Sequence, residues 1–360
     1  TGCQLSVLAG HTGAIHGICA FPSPEGKTLL ASAGFDRTVR IWDVATGTQV
    51  HTLTGHTDWI SDICAVPLPD GRTLLATASF DHTARIVDHL PDEERPEQDE
   101  ERPVREHILM GHSGPVHGVC PIPGPDDQPL LATAGADRTV RIWDVATGTP
   151  QRTLTGHTEA VHTATAFPGA DGSPLLATAS DDRTVRVWEP ISGRQLRSLA
   201  DHTTGVHRVA PIRGADGRSL LITAGADHTV RIWDTAAEDQ RPGAVSSTGH
   251  TGPVLGGCLV PGTHGPPLLV TAGADHTVRS WDATTGRPRN TLTGHGKAVH
   301  GVCAVEGPEG ELLLASAGAD HTVRVWDSTT GDLLHTLTGH DGPVRGVCGL
   351  LGPGQRALLA

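Results

Sequence analysis

The sequence is built from a repeated segment of about 45 residues. Five of the seven intervals between successive marker histidines are 45 residues long. A Gly-His pair marks seven of the eight repeats, and Asp201-His202 marks the other; the pairs are Gly10-His11, Gly55-His56, Gly111-His112, Gly156-His157, Gly249-His250, Gly294-His295 and Gly339-His340. Such internal periodicity indicates tandem structural units that pack on one another. We place repeat starts near residues 10, 55, 111, 156, 201, 249, 294 and 339, with the last repeat truncated, in one domain covering 1–360.

Each repeat contains four short apolar runs separated by turn residues. In the first repeat the runs are Ile15 to Phe21, Thr28 to Ala33, Thr38 to Trp42 and Thr48 to Leu53. Their length and their β-branched residues predict four strands joined as an antiparallel meander. One such meander is too small to bury its own faces, so neighbouring repeats must cover one another. The pattern predicts an all-β fold.

A Trp-Asp or Trp-Glu pair follows in six repeats. These pairs are Trp42-Asp43, Trp143-Asp144, Trp188-Glu189, Trp233-Asp234, Trp281-Asp282 and Trp326-Asp327, and Val87-Asp88 is the degenerate copy. Together with the Gly-His marks, they resemble the WD-repeat β-propeller family over essentially the whole chain. The resemblance implies radially arranged four-stranded blades, which leave only short sheet edges.

The resemblance also implies one hydrogen-bonded His–Ser/Thr–Asp–Trp tetrad in each blade. The expected sets are His11, Ser32, Asp36, Trp42; His112, Thr133, Asp137, Trp143; His157, Thr178, Asp182, Trp188; His202, Thr223, Asp227, Trp233; His250, Thr271, Asp275, Trp281; and His295, Ser316, Asp320, Trp326. The second repeat has His56, Thr77 and Asp81 but Val87 in place of tryptophan, so we expect its blade to be the loosest.

The number of blades is seven or eight. The chain provides eight runs each for the first, second and fourth strands but seven for the third. We favour eight blades, with the closing blade lacking one strand. The alternative is seven blades, with 1–8 completing the last one and an overhang from about Asp332 that exposes apolar strand edges.

Composition excludes several function classes. The formal net charge of −13 disfavours a nucleic-acid-binding module, which needs a basic surface. No apolar run approaches the roughly 20 residues of a membrane span. Seven cysteines recur mostly at one repeat position, so we interpret them as reduced thiols rather than a disulfide framework. We expect a cytoplasmic protein without a cofactor.

Two polar patterns invite other interpretations. Ser/Thr, His and Asp recur together, but they recur in every repeat with tryptophan as a fourth partner, so we predict no catalytic triad and no enzyme. The chain has no C-x-x-C or H-E-x-x-H motif, and we predict no metal site. Five histidines lie five residues after a marker histidine, and we expect them at one mouth of a central channel, solvated: His16, His117, His162, His207 and His300. A metal, anion or pH-responsive site is the alternative for this group.

The few aromatic residues outside the tetrads point to a binding surface. Phe35 and Phe80 immediately precede tetrad aspartates, where the other repeats carry alanine or aspartate, and Trp59 follows Asp58 near a marker histidine. We therefore predict a partner-binding rim at Phe35, Asp58, Trp59 and Phe80. Local packing of unusual loops is the alternative. The acidic segment from Pro91 to Glu106 lies in the same repeat, and we expect it to be solvated.

The leading hypothesis is a protein-interaction scaffold or sensing module that binds proteins or peptides. We expect neither nucleic acid nor membrane as a partner, and fusion to effector domains in a longer signalling protein. Arginine in preference to lysine, with abundant Ala, Gly and Pro, indicates a bacterial source. A glycan-binding propeller and an enzyme on a propeller scaffold are the two alternatives.

Overall fold

The structure is a computed structural model of the 360-residue chain. It describes residues 7–23, 25–88, 106–213, 218–235, 245–260, 267–283, 285–307, 311–347, 349–351 and 357–359. These residues form strands, turns and one 3₁₀ helix, Pro125–Asp127. Within them no helix is long and apolar enough to span a membrane.

The fold is an all-β propeller with seven four-stranded antiparallel blades. Within each blade the strands lie side by side in the order in which they occur in the chain. Blades one to four consist of β1 (Ile15–Pro22), β2 (Thr28–Gly34), β3 (Val39–Asp43), β4 (Gln49–Leu53); β5 (Ile60–Pro67), β6 (Thr73–Ser79), β7 (Ala84–Val87), β8 (Glu106–Leu109); β9 (Val116–Ile122), β10 (Leu130–Gly135), β11 (Val140–Asp144), β12 (Pro150–Leu154); and β13 (Val161–Pro168), β14 (Pro174–Ser180), β15 (Val185–Glu189), β16 (Arg194–Leu199).

Blades five to seven repeat the same order. They consist of β17 (Val206–Arg213), β18 (Ser219–Gly225), β19 (Thr229–Asp234), β20 (Val245–Thr248); β21 (Val254–Val260), β22 (Leu268–Gly273), β23 (Val278–Asp282), β24 (Pro288–Leu292); and β25 (Val299–Glu306), β26 (Leu312–Gly318), β27 (Val323–Asp327), β28 (Leu333–Leu337). The four strands predicted for the first repeat are confirmed, with ends shifted by at most one residue.

The prediction of eight blades is wrong. The seventh blade takes β28 as its fourth strand, so it is complete within its own repeat. Among the described residues after it are two three-residue strands, β29 (Gly349–Leu351) and β30 (Ala357–Leu359), which pair antiparallel with each other and lie beside β25. The alternative of seven blades is confirmed, but the fourth strand of the seventh blade is β28 and not residues 1–8.

Burial follows the strand pattern of each repeat. The second strand is almost wholly buried, as in β6, where all seven residues are buried. The third strand alternates, so that in β3 the side chains of Val39, Ile41 and Trp42 are buried and Arg40 is half-buried. Central strands covered on both faces are apolar throughout, while strands near an edge alternate. The outer fourth strands are largely exposed, as in β4.

The chain divides into two compact units. The first unit holds blades one to three, within Ser6–Ala166 and Trp188–Leu196, and the second holds blades five to seven, within Phe167–Val187 and Arg197–Ala360. The strands of the fourth blade are divided between the two units.

The apolar cores lie between neighbouring blades of one unit. In the first unit, Ile86 and Leu109 of the second blade form one buried cluster with Leu131 and Trp143 of the third. In the second unit, Ile222 and Ile232 of the fifth blade share a cluster with Trp281 of the sixth. Each blade thus relies on its neighbour for burial, as the repeat pattern requires.

The turn between the second and third strands holds a residue in the left-handed conformation. The residues are Arg37, His82, Arg138, Arg183, His228, His276 and His321, with φ between 65° and 71°. The preceding aspartate fixes this turn, because its Oδ1 accepts the backbone N–H two residues later, as Asp36 does from Thr38 at 3.2 Å. The same turn carries residues of the candidate site.

Truncation of a buried side chain between blades should destabilise the chain strongly. Leu131 is fully buried in the cluster of the second and third blades, so we expect Leu131→Ala to lower the free energy of unfolding by about 2–5 kcal/mol. Val50→Ala, on the exposed face of β4, is the control and should change it by less than about 0.5 kcal/mol. Urea denaturation followed by circular dichroism measures both; equal losses would contradict burial between blades.

Candidate functional site

The tetrad of the first blade forms a directed chain of hydrogen bonds. The indole Nε1–H of Trp42 donates to Ser32 Oγ at 2.8 Å, Ser32 Oγ lies 2.8 Å from His11 Nε2, and His11 Nδ1 lies 2.9 Å from Asp36 Oδ2. An indole only donates and a carboxylate only accepts. The serine hydroxyl therefore donates to Nε2, and the imidazole carries its proton on Nδ1.

Five of the predicted tetrads have all four members in contact. In blades one, three, five, six and seven the three links measure 2.7–3.0 Å. In the second blade His56 contacts Asp81 and Thr77 at 2.7 and 2.8 Å, and Val87 leaves the hydroxyl without an indole donor. The looseness predicted for this blade stays a prediction.

The fourth set is divided between the two units. His157 and Trp188 belong to the first unit, with ring centroids 6.4 Å apart. Thr178 and Asp182 belong to the second unit, where Asp182 Oδ1 accepts the hydroxyl of Thr184 at 2.6 Å.

A threonine that the sequence analysis missed is a fifth member of each network. It follows the tetrad aspartate by two residues, and its hydroxyl donates to Oδ1; in the first blade this is Thr38, at 2.8 Å from Asp36. The backbone N–H of Thr12 donates to the other carboxylate oxygen at 3.0 Å. The repeated Asp-Arg-Thr or Asp-His-Thr sequence was the available signal.

These contacts keep the carboxylates ionised. Burial raises the pKa of Asp275, but hydrogen bonds from the Thr251 N–H, the His250 ring and the Thr277 hydroxyl outweigh it and lower the pKa to about 2. Against the same opposing effect of burial, the corresponding hydrogen bonds also lower the pKa of Asp36, Asp81, Asp137, Asp227 and Asp320.

Burial favours the neutral form of four tetrad histidines. Burial lowers the pKa of His112, His202, His250 and His295, against the raising effect of the neighbouring aspartate. The hydroxyls they contact are buried as well, as Thr133 and Thr223 are at 0% exposure. A hydroxyl sealed between an indole and an imidazole is out of reach of a substrate, unlike the nucleophile of a catalytic triad.

Six rings in the first unit form a continuous row, which we call the aromatic row. Its members, in spatial order, are His16, Phe35, Trp59, Phe80, His117 and His162. The first three stack, with centroids 4.9 and 4.2 Å apart and interplanar angles of 16° and 11°. Successive centroids in the rest of the row are 5.2–5.9 Å apart, and the rings are tilted or edge-on.

The row joins residues that the sequence analysis assigned to two separate features. Phe35, Trp59 and Phe80 come from the predicted binding rim, and His16, His117 and His162 come from the predicted channel mouth. The neighbouring rings lie 19–45 residues apart in the chain, and strand pairing within a blade together with packing between blades brings them together. The channel position of the histidines stays a prediction.

The row is open to solvent at its centre. The side chain of Trp59 is 45% exposed, whereas the six tetrad tryptophans are at most 6% exposed. His16 and Asp58 are exposed, and Phe35 and Phe80 are half-buried. Asp58 Oδ1 accepts the backbone N–H of Trp59 at 2.8 Å, which holds the carboxylate against the main chain of Trp59.

The backbone of these turns does not require aromatic side chains. Phe80 N–H donates to Trp59 O at 2.9 Å, and Phe35 N–H donates to Ala14 O at 2.9 Å. In the third and sixth blades the same bond joins Ala136 to Pro115 and Ala274 to Pro253, each at 2.8 Å. Since small residues serve the turn elsewhere, the three bulky rings are an addition specific to the first two blades.

The remaining predicted site residues lie elsewhere. In the second unit, His207 Nε2 is 3.9 Å from Asp181 Oδ1, and burial, with Arg345 nearby, lowers the pKa of His300. Of the acidic segment from Pro91 to Glu106, only Glu106 is within the described residues, where it pairs with Arg85.

The described cysteines are free thiols: Cys19, Cys64, Cys120, Cys258 and Cys303. Burial raises the pKa of Cys120 to about 11 and that of Cys258 to about 12, and it raises the pKa of Cys64 well above its usual value. At neutral pH these thiols stay protonated, so they are poor nucleophiles and poor metal ligands.

Loss of a tetrad hydroxyl should cost more where it serves two partners. Thr133→Val leaves both His112 Nε2 and Trp143 Nε1 without their hydrogen-bond partner, so we expect a loss of about 2–5 kcal/mol in the free energy of unfolding. Thr77→Val is the matched control, because Thr77 lacks the indole donor; its loss should be about 1–3 kcal/mol. Urea denaturation measures both, and a larger loss at Thr77 would contradict the directed chain.

Stability should fall as the pH is lowered in two steps. Because the pKa values of His112, His202, His250 and His295 are lowered in the folded chain, these side chains take up protons in the unfolded chain first, so stability falls as the pH drops below about 6.5. The lowered pKa of the aspartates adds a second loss below about pH 4, which extends to about pH 2 for Asp275. Thermal midpoints measured from pH 8 to 3 test this; a rise in midpoint between pH 7 and 5 would contradict it.

Comparison with known proteins agrees with the geometry of the blades. The family model "WD domain, G-beta repeat" matches residues 2–43, 47–88, 103–144, 148–189, 193–234, 244–282 and 286–327. A 44-residue segment is 50% identical to the mouse protein "Periodic tryptophan protein 2 homolog"; it covers 12% of this chain and 4% of that protein. The seven matches, the seven blades and the tetrads show that the chain belongs to the WD-repeat family of β-propellers.

Proposed function

We propose that the chain is a non-catalytic module that binds other proteins or peptides through the aromatic row, with Phe35, Asp58, Trp59 and Phe80 as the contact residues. WD repeats generally mediate protein–protein interaction, which supports the class of function. We choose this surface because the side chain of Trp59 is 45% exposed, whereas the other tryptophans of the chain are buried. Exposed aromatic residues beside polar groups are typical of interface hot spots.

The alternative of local packing is weaker for a structural reason. The turn that holds Phe80 forms with alanine in the third, fifth, sixth and seventh blades, and its acceptor position holds Pro, Gly or Ala there. A Trp and two Phe side chains therefore add exposed apolar area without being needed for the turn. Soluble proteins rarely keep such a patch exposed unless something binds it.

Several features support a non-catalytic role. Each hydroxyl of the five complete tetrads is held between an imidazole and an indole and is buried. The thiols whose pKa is raised stay protonated at neutral pH. An enzyme on this scaffold would need another polar constellation open to substrate.

Other expectations stay predictions. The free thiols support a reducing compartment such as the cytoplasm, and the net charge of −13 favours proteins over nucleic acids as partners. A place in a larger signalling or regulatory protein, a scaffold role within it and a bacterial source are proposed on sequence alone.

A glycan-binding propeller is the second candidate, because sugar rings also pack on aromatic faces. A glycan site repeated in each blade would need the same aromatic residues in each blade. Here the Phe35 and Phe80 position holds alanine in four of the other blades and Asp181 in the fourth, so the rings are confined to one region. Binding on a glycan array that Trp59→Ala abolishes would favour this candidate.

Removal of the three rings should abolish partner binding and leave the fold intact. We expect the variant Phe35→Ala, Trp59→Ala, Phe80→Ala to retain partners from a host lysate at least about tenfold less well than the unaltered chain, since loss of one hot-spot aromatic costs about 2 kcal/mol or more. Affinity capture with quantitative mass spectrometry measures the difference.

The matched control removes other exposed apolar side chains. Val50, Leu333 and Leu334 are 43–44% exposed, on outer strands, and their replacement by alanine should leave capture unchanged. Thermal midpoints of both variants verify folding. Equal capture by the unaltered chain and the three-ring variant would refute the proposed surface.

A further inference from the structure

The aromatic row offers a surface for a flat cation. Phe35 stacks parallel to the indole of Trp59 with centroids 4.2 Å apart, so it covers one face of that ring. Phe80 meets the indole at 54° and 5.9 Å, which leaves these two rings splayed rather than in face contact. The exposed part of Trp59 therefore lies away from Phe35. Indole has the strongest attraction for cations among the aromatic side chains.

Acidic groups accompany the row. The exposed Asp58 carboxylate is fixed beside Trp59 by the hydrogen bond from its amide, and the exposed Glu159 holds the same repeat position in the fourth repeat, three residues before His162. An exposed carboxylate and an exposed indole on adjacent residues can attract one cation by charge and by stacking together.

The composition of the first unit reinforces this charge. Its residues, 6–166 and 188–196, include 22 Asp and Glu against 12 Lys and Arg. An acidic field of this kind attracts basic segments and slows the approach of acidic ones. Two arginines lie in turns of the first unit: Arg37 is exposed, and Arg138 donates to the carbonyl of Thr158 at 3.5 Å.

We propose that the aromatic row recognises an extended peptide by seating one arginine side chain of that peptide on Trp59, with its guanidinium directed to Asp58. Arginine fits better than lysine because its planar guanidinium stacks on an indole and donates in a fork to a carboxylate. The proposal rests on the proposed function and adds the chemistry of the partner.

The test uses a random nonapeptide phage library as the probe, panned on the intact chain. We expect arginine to be enriched in peptides that bind the unaltered chain and not Trp59→Ala. Isothermal titration calorimetry then compares a selected synthetic peptide with its counterpart in which the neutral isostere citrulline replaces arginine. The citrulline peptide should bind about fivefold to thirtyfold more weakly.

Two further variants separate a cation site from an apolar one. Trp59→Leu keeps apolar bulk but removes the ring, so it should weaken the arginine peptide at least about fivefold and leave the citrulline peptide nearly unchanged. Asp58→Asn should weaken the arginine peptide about threefold. Leu333→Ala with Leu334→Ala is the matched control and should bind both peptides like the unaltered chain.

The outcomes distinguish the two proposals. Selected peptides that are neutral or acidic but still depend on Trp59 would overturn the arginine proposal and leave the row as a peptide-binding surface. Peptides that bind Trp59→Ala equally well, or a library that yields none, would overturn both proposals.

Discussion

The directed hydrogen bond chain from the tryptophan indole to the aspartate carboxylate is the interaction on which the rest of the structure depends. It links the loop before the first strand, the second strand, the following turn and the third strand of a blade through buried side chains, as His112, Thr133, Asp137 and Trp143 do in the third blade. In a buried site each member must be satisfied, so the four residues fix one another's positions. The threonine after the aspartate and two backbone amides complete the carboxylate's contacts.

This rigid network leaves the neighbouring positions free to vary. In six blades the residue before the tetrad aspartate donates its backbone N–H to the carbonyl of the residue before the first strand, and this bond does not depend on the side chain. In the first two blades Phe35, Phe80 and Trp59 occupy these positions, and their rings meet one another and the histidines of the inner strands. In this turn the aspartate side chain and the backbone N–H of the preceding residue stabilise the blade, while the side chain of the preceding residue is free to form a binding surface. The binding surface can therefore change without loss of the blade.

Much of the fold could be predicted from the sequence because its signals are local. Strand ends in the first repeat were placed within one residue, since the apolar runs and turn residues that define them are contiguous in the chain. The tetrads followed from the resemblance, and five of them form as expected. The threonine two residues after the aspartate was missed because it directly precedes the β-branched residues of the third strand. The sequence pattern therefore indicates a strand residue rather than a member of the hydrogen-bond network.

Features that depend on which strands and blades lie next to each other could not be predicted in the same way. Counting apolar runs suggested an eighth blade, yet β28 completes the seventh, and the strands in the described residues beyond it are the short pair β29 and β30. The histidines of the aromatic row were assigned to a channel, because their contact with Phe35 and Phe80 depends on the lateral spacing of strands. Stacking between rings on different strands leaves no periodic trace in the sequence.

Photo-crosslinking next to the centre of the row tests the central claim, that this surface binds a partner while the tetrads hold the fold. The photoreactive residue p-benzoylphenylalanine would replace Thr57, exposed two residues before Trp59, in one variant and Leu334, exposed in β28, in another. On irradiation in host lysate, the account predicts a defined adduct from Thr57→p-benzoylphenylalanine alone, suppressed by excess unaltered chain and not by Trp59→Ala. No adduct at position 57, or the same adducts from both positions, would contradict it.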